Sequence, residues 1–176
     1  MTTDQNNFRS WYVDILDKLY PHREAGFAIM MIAIPLLERY LRQKARLQVQ
    51  APLNQPFYDE LIRLFPVLTD LEKAKQFWQV FRNGLLHEVT MSPQDRKGNQ
   101  MPAGSLSHDI PEISVLPDGT FFVHPVDFAK RVIKIIEDDF AIFAGNTSAT
   151  KLPRVKQHAP GIESSTTIIL STSSNP

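Results

Sequence analysis

The sequence predicts an all-α protein: an antiparallel bundle of four to five helices with a β-hairpin inserted before the last helix. Three observations carry this expectation. Apolar residues recur at spacings of three and four along several separate runs between Phe8 and Phe143. The breaks between the early runs are short and marked by Pro or Asn, which favours antiparallel neighbours. One segment, Ile113 to Val123, instead has β-branched and aromatic residues around a Pro117-Asp118-Gly119 turn.

Taken in order, Phe8, Trp11, Tyr12, Ile15, Leu16 and Leu19 make a first amphipathic helix, with Asn6 or Asn7 as its cap. Tyr20-Pro21 ends it. A second helix is expected from Pro21 to Arg46, and its centre, Ala25 to Leu37, is almost wholly apolar. That run is shorter than the ~20 residues a membrane span takes, so it reads as a core helix buried on most sides, kinked at Pro35. Glu38, Arg39, Arg42, Lys44 and Arg46 give it a charged end, either a solvated terminus or an RNA-contacting patch. Asn54, Pro56 and the Phe57, Leu61, Leu64, Phe65 pattern mark a third helix, stopped by Pro66.

Thr69 and Glu72 form a T-x-x-E capping box at the head of a fourth helix. Leu71, Ala74, Phe77, Trp78, Phe81, Leu85 and Val89 make its apolar face, while Glu72, Gln76, Gln79, Asn83 and His87 lie opposite. Arg82 sits at the border, ~140° from His87 around an ideal α-helix. Gly84 costs about 1 kcal/mol relative to alanine there. Two readings of it stay open: close approach of a helix, a second subunit or a phosphate, or fraying before a loop. Met91 to Pro111 is a polar, Pro-, Gly- and Ser-containing loop carrying Arg96, Lys97 and His108; it either folds over the His87 end of the helix or is disordered. The hairpin must pack on the helices, since a lone hairpin is marginal in water. His124-Pro125 opens the last helix, with Ala129, Val132, Ile133, Ile136, Phe140 and Phe143 on its core face and Gly145-Asn146 as its stop. The expected organisation is a helical domain over 1–145, with the loop and hairpin insertion at 91–124, and a flexible Ser/Thr-rich tail over 146–176.

Composition narrows the function classes. With 19 basic and 19 acidic residues the net charge is zero, which argues against nonspecific duplex binding but leaves room for a small site gripping one phosphate. No cysteine is present, so disulfides, thiolate catalysis and cysteine-ligated zinc are excluded. The histidines His22, His87, His108, His124 and His158 lack metal-ligand spacing, so no metal is expected. The first ten residues lack the basic-then-apolar order of a signal peptide, and the expected setting is the cytoplasm, with no membrane partner.

The run Arg82-Asn83-Gly84-Leu85-Leu86-His87 resembles the signature of the HEPN family (higher eukaryotes and prokaryotes nucleotide-binding): an arginine, often a polar residue after it, and a histidine four to six positions on. Its context is similar to the family's, near the end of a capped amphipathic helix that comes after a long apolar one. The likeness covers about Phe8 to Gly145. It implies a metal-independent endoribonuclease of toxin or defence type, without cofactor. It also implies a homodimer with a composite site at the subunit interface and an antitoxin or other regulatory protein as a further partner. By position, Arg82 matches the family arginine, Asn83 the polar residue and His87 the histidine. Glu38 is the candidate for the acidic residue that some members contribute from an earlier helix, with Gly84 in support. Arg96, Lys97 and His108 are candidates for a substrate-binding loop.

The residue chemistry suits that role. RNA alone supplies a ribose 2′-OH, imidazole can move its proton near neutral pH, and a guanidinium can stabilise charge building on a phosphate. Two rival classes remain: a non-catalytic helical module of the same fold binding RNA, nucleotide or a protein, and an interaction protein whose hairpin adds a strand to a partner sheet.

Overall fold

The computed structural model describes residues 2–48, 50–88 and 103–145, with side chains up to residue 86 in the second stretch. Within these residues the protein is mostly helical, with one small three-stranded sheet. The first helix starts earlier than expected. The Thr2 hydroxyl accepts from the Gln5 amide at 3.3 Å, and Gln5 Oε1 accepts from the Thr2 amide at 2.7 Å. That capping box places Asn6 and Asn7 inside α1 (Thr3–Phe8) rather than at its cap. A π-helical turn, Arg9–Val13, leads into α2 (Asp14–Leu19).

After a 3₁₀ turn at Arg23–Ala25, α3 (Gly26–Lys44) runs unbroken through Pro35. Ile29, Met30, Ala33, Ile34, Leu37 and Leu41 are buried on one side, but Phe27 and Met31 are 40% and 44% exposed. The apolar centre therefore buries one broad face instead of most of its circumference. Helix α4 (Gln55–Leu64) starts at Asn54, whose side chain accepts from the Phe57 amide at 3.2 Å.

Asp70, and not Thr69, caps α5 (Leu71–Trp78): its Oδ1 accepts from the Lys73 amide at 2.9 Å. A carboxylate is the stronger acceptor at this positive helix end. Thr69 donates its hydroxyl proton to Asp70, and Glu72 accepts from Gln76 instead of closing a capping box. From Gln79 to Glu88 the helix continues in π-helical form, whose characteristic bond reaches back five residues, although the Gln79 amide itself still bonds to Lys75.

The expected loop contributes a strand that its polar sequence did not reveal. Strand β1 (Gly104–Leu106) pairs parallel with β3 (Phe121–Val123), which pairs antiparallel with β2 (Ile113–Val115), giving the order β1-β3-β2. Ile113 faces Val123 and Val115 faces Phe121 across the antiparallel pair. Gly119 takes φ +86° in the connecting turn, a conformation open to glycine. Gly104 fits because it has no side chain: a Cβ there would lie 2.5 Å from Val80 Cγ1 and 2.9 Å from Phe81 Cζ.

Helix α6 (Pro125–Asp138) is capped by His124, whose Nδ1 accepts from the Asp127 amide at 3.1 Å. The last helix is interrupted at Asp139 and resumes as α7 (Phe140–Ala144), ending at Gly145 with φ +73°. Helix α3 is the axis, packed against α4, α6, α7 and the π-helix. A chain of rings ties the layers together: Phe77 meets Phe81, Phe121 and Phe128, and Phe65 stacks on Phe128. Burying each such ring is worth roughly 1.5–3 kcal/mol. Among the described residues, no helix is long and apolar enough to cross a membrane. The tail expected at 146–176 lies outside the described residues.

Candidate functional site

The centre of the site is a carboxylate between two guanidiniums. Glu38 and Arg42 stand four apart on α3, so they share a face, and Arg42 Nε donates to Glu38 Oε1 at 2.8 Å. Arg82, on the π-helix packed against α3, donates through Nε to the other oxygen, Glu38 Oε2, at 3.0 Å. Arg82 Nη1 also reaches Asn83 Oδ1 at 3.3 Å. Arg42 has further ties, to the backbone carbonyls of Gln48 and Ala51, which fix the connection leading into α4.

Burial pushes the Glu38 carboxyl upward, but the hydrogen bonds and positive charges of Arg82 and Arg42 outweigh it and hold it below the usual carboxylate range. Glu38 is therefore an anion at neutral pH. It orients Arg82 rather than exchanging protons.

These groups border a cleft of about 410 Å³ between α3, α4, α5 and the π-helix. Its lining includes three cations, Arg42, Lys75 and Arg82, against one carboxylate, Glu38, a surplus of two positive charges. In a chain of zero net charge this is a local concentration of positive potential. Tyr58 and Trp78 supply aromatic surface, and Gln79 and Asn83 supply amides. Trp78 packs edge-on against Phe57 with centroids 4.9 Å apart, and its buried Nε1 has no hydrogen-bond partner among the described residues.

The π-helical form changes the relation between positions 82 and 87. The ~140° offset belongs to an ideal α-helix. Where amides reach back five residues, a spacing of five closes one hydrogen-bonded turn, which brings backbone position 87 round toward the side of position 82. The side chain of His87 lies outside the described residues. Gly84 is buried, and the helix continues past it to Glu88, so the chain does not fray at this glycine.

The structure brings Glu38, Arg82 and Asn83 together. It does not bring His108 to them: His108 Nε2 lies 3.1 Å from the Arg23 carbonyl, and its ring meets His124 edge-on at 5.1 Å. Strand β1 fixes the chain just before it, so the end of the expected loop is tied to the sheet. Arg96 and Lys97 lie outside the described residues. Two other cations of the charged end of α3 also have partners: Arg39 donates to the carbonyls of Phe143 and Ala144, and Lys44 pairs with Asp139.

Sequence reasoning passed over Tyr58, Lys75, Trp78 and Gln79 as site residues. The row Lys75, Gln79, Asn83 at spacings of four was a readable signal for part of the cleft wall. Tyr58 carried none, because its place depends on how α4 packs. No protein-family model, curated protein or solved structure matches the chain.

Proposed function

We propose that this chain is a metal-independent endoribonuclease of the HEPN toxin and defence type. In this reading it is an antiparallel helical bundle acting as a cytoplasmic homodimer, with the two signature helices meeting at a composite site. The observation that supports it best is Arg82, oriented by Glu38 at 3.0 Å, on the edge of a positively charged cleft. His87 comes one π-helical turn further along the backbone. His87 would take the proton from a ribose 2′-OH, the freed oxygen would attack the adjacent phosphorus, and the 5′-oxygen would leave with a proton from an acid across the dimer. Arg82 would stabilise the charge that builds on the phosphate, and Asn83 would help to hold that guanidinium.

The chain incubated with total cellular RNA and a chelator should shorten the RNA. Arg82→Ala and His87→Ala should each abolish cleavage while far-ultraviolet circular dichroism stays native, and light scattering should give twice the chain mass. Cleavage that persists in both variants, or a wild-type chain that never cuts RNA, ends the proposal. The same ion pair favours one second reading, a non-catalytic helical module that keeps Arg82 for stability. Arg82→Ala would then lower the melting temperature without any cleavage to lose.

A further inference from the structure

We propose that the cleft beside Arg82 holds one nucleotide of a single-stranded RNA, its phosphate on Lys75 and Arg82 and its base stacked on Tyr58, with the Gln79 and Asn83 amides facing the base edge. This rests on the ribonuclease reading and goes past it, because it assigns binding residues outside the Arg82–His87 signature.

Lys75 is the first argument. It is exposed on α5 at the cleft wall, and its ammonium has neither a hydrogen bond nor an ion pair among the described residues. Arg42, by contrast, is committed to Glu38, Gln48 and Ala51 and builds the opposite wall. A cation kept near a second, oriented guanidinium in a cleft with surplus positive charge suits a phosphodiester. Tyr58 is the second argument. It is half-buried, fixed edge-on against Phe57 at 5.3 Å, and faces the same cleft. A held aromatic ring beside cations is the arrangement that binds single strands, whose bases are free to stack. The third is size. A volume of about 410 Å³ falls in the range of ligand-binding clefts, ~300–1,000 Å³. Finally, the polar row runs Lys75, Gln79, Asn83 along the helix toward backbone position 87, so a nucleotide lying on it would have its next phosphodiester at the signature residues.

The test uses the full chain carrying His87→Ala, so that RNA is bound without being cut, and a fluorescein-labelled mixed-sequence 12-nucleotide RNA read by anisotropy. Lys75→Glu should weaken binding tenfold or more. Lys75→Ala should lower the slope of log affinity against log salt by ~0.7, the value of one single-strand phosphate contact. Tyr58→Leu should cost roughly five- to a hundredfold, the range for loss of one stacked base. Lys18→Glu, on the exposed side of α2, serves as the charge control and should bind like its parent. Circular dichroism checks that Tyr58→Leu is folded, and Lys75→Glu, which has no internal partner to lose, keeps the test decisive if it is not. If the parent binds RNA and both cleft variants bind equally well, the cleft assignment is overturned while the ribonuclease reading stands. If the cleft variants lose binding but the wild-type chain never cuts, the assignment holds and the enzyme reading falls.

Discussion

Replacing Glu38 by glutamine tests the centre of the site without changing its shape. The carboxylate accepts from Arg82 at 3.0 Å and from Arg42 at 2.8 Å, and its side chain is only 15% exposed. A fully exposed pair would be worth ~0–1 kcal/mol, and breaking a fully buried one would cost ~3–5 kcal/mol. With Arg82 at 29% exposure the pair lies between those limits, and the loss should be ~2 kcal/mol, since glutamine can still accept one weaker hydrogen bond. For a chain of this size that is a fall of ~4–8 °C in melting temperature. The pH dependence fixes the cause. A carboxyl held below its unfolded value contributes stability that is present above the unfolded pKa and lost as pH falls through the folded one. Urea unfolding should therefore separate wild type from Glu38→Gln at pH 7, and the gap should narrow steadily below about pH 4. A double-mutant cycle with Arg82→Ala should show coupling of about 1 kcal/mol or more at pH 7. A Glu38→Gln variant as stable as wild type at pH 7, or a gap that does not change with acid, would refute the account of Glu38 as the group that holds Arg82.

Three further substitutions probe the frame around the site. Gly104→Ala should destabilise by ~1–3 kcal/mol, because the new methyl would meet Val80 and Phe81; thermal melts check it, and Gly104→Ser should be no better. His124→Ala removes the acceptor for the Asp127 amide and should cost ~1 kcal/mol in urea unfolding, with His124→Asn recovering most of it. Burial raises the Glu112 carboxyl above its usual range against the opposing pull of Arg131, and Oε1 has no hydrogen-bond partner among the described residues. A raised carboxyl contributes stability below its unfolded pKa that is lost as pH rises through the folded one. Glu112→Gln should therefore gain up to ~1 kcal/mol at pH 7 and nothing at pH 3, read from paired urea curves.

Helix existence was legible wherever an apolar stripe was long. Residues of α4, α5 and α6 expected from their repeat at three and four fill the core, as with Phe57, Phe77 and Ile136. Helix starts were less legible because several acceptors compete within two or three residues. Thr2 beat Asn6 by closing a reciprocal pair with Gln5, and Asp70 beat Thr69 by its charge. Strand β1 was illegible for a different reason. Gly-Ser-Leu has little strand propensity, and what places it is long-range: β3 offers an edge, and Gly104 alone can approach Val80 and Phe81. In the site, Glu38 was named from family likeness, but its contact with Arg82 spans 44 positions and depends on α3 packing against the π-helix. Tyr58 comes to that cleft through the packing of α4 on α3 and α5, which periodicity does not encode.

The π-helix is the place where fold and site constrain each other. A π-helical run is rare and is less favourable than an α-helix of the same length, so something must hold it. On one side Val80, Phe81 and Leu85 are wholly buried, with Val80 and Phe81 against the glycine of β1 and the Phe81 ring tilted against Phe77. On the other side Arg82 is anchored to α3 through Glu38. Between them stand Asn83 and Gly84, both weak formers of an ordinary helix, so the local sequence resists the wider winding less than Ala or Leu would. The same winding that satisfies the core turns the five-residue spacing of Arg82 and His87 into one backbone turn. The π register also sets the residues beyond Arg82, so Leu85 reaches the core on the same winding that brings backbone position 87 round.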